Sequence, residues 1–304
     1  MRGDNSMANR PKVSIILVNY NGYRDTIECL QSLREISYSN YEVIIVDNAS
    51  TNESLEEIRN FVCEGEILIP SEVNGGFSAG NNIGIKYALE HEAEYCLLLN
   101  NDTVVEPNFL NNLVKGFSFS DKCGLTVGKI LYESKREMIW YAGGSLSRKT
   151  ARTEHWHYRE MDDGLSDKPQ KVTFATGCCM CLSRATIETV GLMDESYFLY
   201  EEDADYCCRI TDAGFDMIYV PQARIYHKVS ASTGKTSGTS QYYTIRNRYR
   251  FIEKHFQGRT AIIAYTRSTI QYCFRCLKKE MAFKYFMKAY IAYRRKEEGK
   301  AEII

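Results

Sequence analysis

Residues 12–22 read KVSIILVNYNG, an apolar run that stops at an Asn-Gly pair. A nearly continuous run of this length is typical of a strand buried on both faces of a parallel sheet. Apolar residues at helical spacing follow in residues 24–36, and a second buried run, YEVIIVDNAST, occupies residues 41–51. This strand–helix–strand unit predicts the start of a parallel sheet covered by helices.

The same alternation continues through the first hundred residues. The pattern predicts helices over residues 52–62 and 78–90, and strands over residues 66–70 and 95–100. The predicted fold class is therefore α/β, with a Rossmann-like, mostly parallel sheet flanked by helices. From Tyr242 onward the pattern is helical, aromatic and basic, which predicts a C-terminal helical extension.

The second half is less regular and divides into recognisable segments. Residues 183–191 and 201–214 are predicted helices, each closed by a glycine, and residues 215–221 are a predicted strand. Residues 227–241 are rich in Ser, Thr, Gly and Lys and predict a loop. The predicted domain boundaries follow these changes of pattern: 1–10, 11–105, 106–250 and 251–304.

The composition of the chain excludes several broad classes of protein. The chain has 304 residues, 44% of them hydrophobic and 25% charged, with a net charge of −1. That balance is ordinary for a soluble globular protein and gives no overall field that would recruit nucleic acid. Residues 1–10 are polar and lack the apolar core of a signal peptide, so we expect a disordered segment or cloning residues there, with Met7 as the natural initiator.

Eleven cysteines invite a disulfide interpretation, but the number is odd and several lie inside apolar runs. Cysteine in such runs behaves as a small hydrophobic residue. The one C-x-x-C pair, Cys273 and Cys276, is a weak zinc signal, because a structural zinc site needs two such pairs. We therefore expect reduced cysteines and a cytoplasmic location.

Polar clusters follow three of the predicted strands. They are Asn19-Tyr20-Asn21, Asp47-Asn48-Ala49-Ser50 and Asn100-Asn101-Asp102. Each cluster alone is explained by turn chemistry. Because ligands bind beyond the carboxyl ends of parallel strands, three clusters at one edge favour a ligand rich in hydrogen-bonding groups. The dinucleotide fingerprint and the phosphate-binding P-loop are both missing after the first strand.

Two further segments carry candidate chemistry. Residues 194–209, DESYFLYEEDADYCCR, place several carboxylates beside an aromatic run. They form either a solvated helix face or a general base at the mouth of a cleft. Asp102 is a candidate ligand for a hard cation, with an Asx turn as the alternative. His227 ends a predicted strand and is either structural or a metal ligand.

Taken together, these segments resemble the inverting family 2 glycosyltransferases of GT-A fold, and most of all the bacterial rhamnosyltransferase-type enzymes. The matching motifs run in the family's order from about Val13 to Phe251. They are VSIILVNYNG, VDNAST, NGGFSAGNNIGI, LLLNND, TGCCMCLSRATIETVGLMDESYFLYEEDADYCCRITDAGF and YYTIRNRYRF. Residues 255–304 are covered only loosely.

The resemblance implies a role for each candidate residue. Glu202 and Asp203 match the acidic pair whose aspartate is the catalytic base. Asp102 and His227 would hold a divalent metal, Mg²⁺ or Mn²⁺, although Asn100 and Asn101 depart from the family's acidic D-x-D motif. The residues implied in donor binding are Asn19, Asn21, Asp47, Gly75, Gly76, Asn81, Asn101, Arg246 and Arg248.

The implied activity is inverting, metal-dependent transfer of a hexose in bacterial cell-surface polysaccharide synthesis. The donor would be a nucleotide-diphosphate sugar, with dTDP-rhamnose the first choice, and the acceptor a hydroxyl of a glycan or lipid-linked molecule. The implied halves are 11–105 for the nucleotide-sugar and 106–250 for the acceptor and catalysis. The alternatives are a UDP- or GDP-sugar transferase of the same fold, a sugar-phosphate nucleotidyltransferase, and a non-catalytic nucleotide-sugar-binding protein.

The C-terminal residues alternate aromatic and basic side chains. That composition suits an interfacial helix on an anionic leaflet, and equally a helix that packs on the domain or on a second subunit of a homodimer. With the lipid-linked acceptors that the resemblance implies, it predicts peripheral contact with the inner face of the cytoplasmic membrane.

Overall fold

The first strand–helix–strand unit forms as its pattern predicts. In the computed structural model, which describes residues 10–164, 166–229 and 237–302, strand β1 spans Val13–Asn19, helix α1 Tyr23–Arg34 and strand β2 Tyr41–Asp47. Strands β1 and β2 pair in parallel, and α1 buries Cys29, Leu30 and Leu33 against them. The predicted N-terminal segment 1–10, apart from Arg10, and residues 230–236 of the predicted loop 227–241 lie outside the described residues.

The remaining elements complete a mixed α/β layer structure. The other strands are β3 Glu66–Pro70, β4 Tyr95–Asn100, β5 Thr103–Val105, β6 Cys123–Tyr132, β7 Lys135–Tyr141, β8 Gly144–Leu146, β9 Thr153–His155, β10 Gln170–Val172, β11 Cys179–Ser183 and β12 Asp216–His227. The other helices are α2 Ser54–Phe61, α3 Gly76–Glu90, α4 Phe109–Gly116, α5 Arg184–Val190, α6 Glu202–Asp212, α7 Gly238–His255, α8 Gly258–Leu277 and α9 Phe283–Arg294.

One large sheet organises the molecule. Its described strands follow the order β10-β12-β6-β11-β4-β1-β2-β3, with β5 beside β12 and β7 beside β6. Strands β1 to β4 pair in parallel, and so do β6 and β12. Because β11 is antiparallel to both β4 and β6, all six of these strands run in one direction. The predicted α/β class with a mostly parallel sheet is confirmed. The insertion of antiparallel β11 between β4 and β6 has no periodic signal in the sequence.

Helix α3 packs unusually close to the sheet. A Cβ atom on Gly84 would lie 2.4 Å from a side-chain carbon of Ile16, and one on Gly80 would lie 2.6 Å from Val18. Only glycine allows this distance, so the glycine spacing in residues 74–84 serves helix packing. This close packing also brings the N-terminus of α3 next to the end of β2.

The C-terminal helices form a second core. Aromatic side chains of α7, α8 and α9 pack together and enclose Phe198 from the segment before α6. This contact joins the C-terminal extension to the acidic segment that precedes α6. No helix in the described part of the chain is both long and apolar enough to cross a membrane.

Candidate active site

A buried hydrogen-bond network closes the ends of β1 and β2. The Asn19 amide nitrogen donates to Asp47 Oδ1 at 2.7 Å and to Ser50 Oγ at 3.1 Å. Asn19 Oδ1 accepts a bond from Thr26 Oγ1 at 3.0 Å, and Asn101 Nδ2 donates to that same threonine oxygen at 2.8 Å. The predicted donor-site residues Asn19, Asp47 and Asn101 therefore belong to one network at one edge of the sheet.

Asn21 shapes the adjoining turn. Its φ of 58° is left-handed, a conformation that asparagine tolerates better than most residues. Its side-chain oxygen accepts a bond from the Thr51 backbone N–H at 2.7 Å. Asn21 thus ties the β1 turn to the turn after β2.

Asn48 joins this edge to the glycine-rich loop. Its side-chain nitrogen donates to the Gly76 carbonyl at 3.0 Å, and its side-chain oxygen accepts from the Gly75 N–H at 3.2 Å. Farther along α3, the Asn81 side chain donates to the Phe77 carbonyl at 2.9 Å. Asn48 was not among the predicted site residues, although it lies inside one of the polar clusters.

Gly76 meets the acidic segment directly. Its φ is +85°, and a Cβ there would lie 2.1 Å from the Phe198 carbonyl oxygen. The next residue, Phe77, donates its N–H to that same carbonyl at 3.0 Å. The glycine-rich loop is therefore fixed against the segment that leads into α6.

The turn before α6 is strained. Tyr200 and Glu201 have φ values of 70° and 71°, two successive non-glycine residues in the left-handed region. Such strain costs about 1–3 kcal/mol per residue and persists only where the surroundings hold it. The turn delivers Glu202 and Asp203 to the first turn of α6.

Asn247 of α7 holds this turn. It is buried, and its amide nitrogen donates to the carbonyls of Leu199 at 2.7 Å and Tyr200 at 3.2 Å. Its side-chain oxygen accepts from Arg246 Nε at 3.0 Å. Sequence reasoning missed Asn247, because a single asparagine in a helical pattern gives no signal of a partner 47 residues away.

We expect Asn247→Ala to lower the free energy of unfolding by about 1–3 kcal/mol, since it leaves two partly buried carbonyls and one buried guanidinium N–H without their partner. Chemical denaturation measures the change. Asn247→Asp is the matched variant, because its carboxylate still accepts from Arg246 but donates nothing to the turn. If both variants are as stable and as active as the wild type, Asn247 does not hold the turn.

The two carboxylates at the start of α6 differ in their surroundings. Asp203 Oδ2 accepts the Gly177 backbone N–H at 3.2 Å, whereas Glu202 is buried and its Oε2 has no hydrogen-bond partner among the described residues. Burial raises the pKa of Asp203 to about 6. Burial, and then the charge of Asp203, raise the pKa of Glu202 well above its usual range. A carboxyl with a pKa near 6 is ionised at neutral pH and is a stronger base than an ordinary aspartate.

We expect the rate of any reaction that uses Asp203 as a base to fall as pH drops through about 6, the raised pKa of that carboxyl. Protonated Asp203 cannot accept a proton, so kcat/KM should decrease about tenfold per pH unit below this value. A pH–rate profile of kcat/KM, with unfolding monitored in parallel, measures it. An acidic limb near pH 4 would place the base elsewhere.

Gly177 and Cys178 connect Asp203 to the end of β4. Gly177 contacts Asp203, and the Cys178 carbonyl accepts the Asn100 N–H at 2.9 Å. The Asn100-Asn101-Asp102 cluster therefore lies one short segment away from the acidic pair.

Asp102, in the turn between β4 and β5, lies beside His227 at the end of β12, which pairs with β5. His227 Nε2 lies 3.1 Å from Asp102 Oδ1 and 3.5 Å from Asn100 Nδ2. His227 is largely buried, its ring lies edge-on to Trp140 at 4.8 Å, and its Nδ1 has no hydrogen-bond partner among the described residues. The described chain holds no group of three or more His, Cys, Asp and Glu side chains suited to a metal ion.

Arg246 and Arg248 lie in different surroundings. Arg246 is fully buried between the rings of Tyr242 and Tyr243, and its burial lowers its pKa. Arg248 Nη1 lies 3.3 Å from Glu201 Oε2, and Arg248 also donates to the Ala151 carbonyl. The two arginines therefore do not form one exposed basic helix face.

Known proteins share this architecture. The model of the family described as "Glycosyl transferase family 2" matches residues 14–191. A protein named dTDP-rhamnosyl transferase RfbF, of Shigella flexneri, is 23% identical over 253 residues, which cover 79% of each chain. An N-acetylglucosaminyl-diphospho-decaprenol L-rhamnosyltransferase of Mycobacterium tuberculosis is 22% identical over 263 residues, covering 80% of this chain and 85% of that one.

A solved structure extends the likeness to three dimensions. The mannosyltransferase PcManGT of Pyrobaculum calidifontis, in complex with GDP-Man and Mn²⁺, superposes with a TM-score of 0.61 at 15% identity. The alignment covers 96% of this chain and 89% of that chain. The likeness shows the GT-A fold that the sequence motifs predict.

Proposed function

The chain belongs to glycosyl transferase family 2, and from that premise we propose that it transfers a hexose from a nucleotide-diphosphate sugar to an acceptor hydroxyl with inversion. The observation that carries the proposal is Asp203, a half-buried carboxylate held by Gly177 and joined through Cys178 to the end of β4. A base at that position can reach a hydroxyl aimed at a donor lying along the sheet edge.

The proposed chemistry is a single displacement. Asp203 takes the proton of the acceptor hydroxyl while the oxygen forms a bond to the anomeric carbon. The bond from that carbon to the diphosphate breaks, and the nucleoside diphosphate leaves with the electron pair. The negative charge of Asp203 helps to raise the pKa of its neighbour Glu202, so Glu202 stays protonated while Asp203 acts as the base.

Asp102 and His227 fit a divalent metal whose remaining ligands come from the donor. A carboxylate oxygen and an imidazole nitrogen lie side by side, and His227 Nδ1 has no hydrogen-bond partner among the residues that the structure describes. Mg²⁺ and Mn²⁺ are commonly held by one or two carboxylates together with substrate phosphates. When bound, the metal would neutralise the charge that develops on the leaving diphosphate.

The donor is proposed to lie along the network at the β1, β2 and β4 ends. The shape of that edge is fixed by contacts among Asn19, Asp47 and Asn101, by Asn21 in the adjoining turn and by the Gly75-Gly76 loop. Asn81 lies one turn into α3 from that loop and bonds to the Phe77 carbonyl. The names of two relatives support rhamnose as the sugar, and one of these names, dTDP-rhamnosyl transferase, supports dTDP as the nucleotide. UDP- and GDP-sugars are the alternatives, and binding without turnover is a further one, favoured by Asn100 and Asn101 in place of acidic residues.

A donor screen tests the proposal. The purified protein is incubated with Mn²⁺ or Mg²⁺ and dTDP-rhamnose, UDP-sugars or GDP-sugars, and nucleoside diphosphate release is measured with and without glycan acceptors. We expect release from dTDP-rhamnose and a product of inverted anomeric configuration. Release only from another nucleotide would overturn the donor assignment, and binding of donors without any release would support the non-catalytic alternative.

We place the reaction at an anionic membrane surface, the inner face of the cytoplasmic membrane. Helices α8 and α9 expose apolar side chains, which are Ile262, Ile263, Ile270, Phe274, Leu277, Phe283, Met287 and Ile291. Basic residues such as Arg259, Lys278 and Lys284 lie on the same helices or at their ends, and the combination suits an interfacial helix rather than a fully hydrated one.

Co-sedimentation with vesicles tests the membrane contact. We expect the protein to bind vesicles containing phosphatidylglycerol and the variant F274S/L277S to bind them less. Val73→Ser is the control, since Val73 is an exposed apolar residue in the first half of the chain. A protein that ignores the vesicles but dimerises through this face would assign the same surface to a homodimer.

A further inference from the structure

A cavity lined by arginines lies beside the acidic segment. Its volume is about 520 Å³, and its walls come from α7, α8 and the loop before β9. The charged lining residues are Arg152, Glu201, Arg248, Arg267 and Arg275. Four positive charges and one negative charge leave a net of +3, in a chain whose total charge is −1.

One of the four arginine side chains has hydrogen-bond partners in the cavity wall, and the other three have none among the described residues. Arg248 is held by Glu201 and the Ala151 carbonyl, so it offsets the carboxylate in the cavity wall. The side chains of Arg152, Arg267 and Arg275 make no hydrogen bond or ion pair with any described residue. Three guanidinium groups that converge on one concavity without carboxylate partners match an anion with several oxygens, such as a diphosphate.

The cavity is continuous with the catalytic segment and with the apolar helix surface. Glu201 lines the cavity and is the residue directly before Glu202 and Asp203. On the opposite side, Ile270 lines the cavity and is half exposed, and Phe274 follows it one helical turn later on α8. An anion bound here would have the proposed base on one side and an exposed apolar stripe on the other.

We propose that this cavity binds the diphosphate of an acceptor whose sugar hydroxyl reaches Asp203 and whose lipid lies along the α8 stripe. The inference rests on the proposed function, because it assigns the cavity to the acceptor rather than to the donor. It differs from the donor's diphosphate position, which is proposed at Asp102, in the turn after β4, and at His227, the last residue of β12. A relative whose printed name contains a diphospho-decaprenol acceptor is consistent with this chemistry.

Binding of farnesyl diphosphate, measured by calorimetry with saturating dTDP in the donor site, tests the assignment. Inorganic pyrophosphate and farnesol are the comparison probes. We expect farnesyl diphosphate to bind most tightly and the variant R267Q/R275Q to bind it about tenfold or more weakly, since each lost charged hydrogen bond weakens binding substantially. The matched control is R59Q/K115Q, which removes the same charge from exposed positions on α2 and α4, outside the cavity.

The outcomes separate this inference from the proposed function. Equal binding of farnesyl diphosphate by R267Q/R275Q and the wild type overturns the site, as does farnesol binding as tight as that of its diphosphate. Pyrophosphate binding as tight as that of farnesyl diphosphate overturns the lipid assignment. Release of nucleoside diphosphate by the wild type, with and without acceptor, is measured separately, so loss of the proposed function would be seen even if the cavity binds its anion.

Discussion

Asp203→Asn is expected to reduce sugar transfer by about 10³-fold or more, at the upper part of the range for a lost general base. The side chain keeps its shape, and its oxygen can still accept the Gly177 N–H. Donor affinity, measured by calorimetry with Mn²⁺, should therefore change less than about threefold. The free energy of unfolding at pH 7 is expected to rise, because a carboxyl with a raised pKa destabilises the folded protein once it ionises.

The control for this variant lies on the same helix. Asp212→Asn removes an exposed carboxylate at the far end of α6, where it pairs with Arg148 at the surface. Such a surface pair contributes little, so transfer should be unaffected. Wild-type activity in Asp203→Asn would remove this residue from the role of base, whereas loss of donor binding would place it in the donor site instead.

Asp102→Ala is expected to lower kcat/KM by about 10²-fold or more and to abolish the metal-dependent part of donor binding, because it removes the carboxylate that lies 3.1 Å from His227 Nε2. Titration of the donor with and without Mn²⁺ or Mg²⁺ measures the second effect. With one carboxylate, metal affinity in the absence of donor should be low, so the ion is expected to bind together with the donor diphosphate.

Glu106→Gln is the matched control for Asp102. Glu106 lies just beyond β5 and accepts a bond from the Tyr226 hydroxyl at 2.7 Å, which glutamine can also accept. The loss of charge in Glu106→Gln should leave metal-dependent binding of the donor intact. If wild-type protein treated with EDTA still binds and consumes donor normally, the role proposed for Asp102 and His227 is wrong.

The local sequence pattern was sufficient to predict those strands and helices that are specified by residues close together in the chain. The apolar runs ending at Asn19, Asp47 and Asn100 predict β1, β2 and β4 because a strand buried on both faces needs continuous apolar residues. The same parallel geometry places the three polar strand ends at one edge. The network that joins Asn19, Asp47 and Asn101 follows from that rule.

Pairings between distant segments could not be predicted in this way. Antiparallel β11 lies between β4 and β6, and its short run of buried cysteines and leucine resembles any buried segment. The roles of Asn48 and Asn247 depend on partners that are far away along the chain. A side chain whose importance rests on one buried carbonyl has no local signature.

The sequence by itself determined the alternating α/β order, the polar sheet edge and the acidic pair at the start of α6, because those features depend on side-chain periodicity and strand direction. Tertiary structure decided that Asp102 meets His227, that Arg246 is buried while Arg248 pairs with Glu201, and that three other arginines face one cavity. Burial and charge pairing are set by which surfaces come together, and a linear pattern of residues does not contain that information.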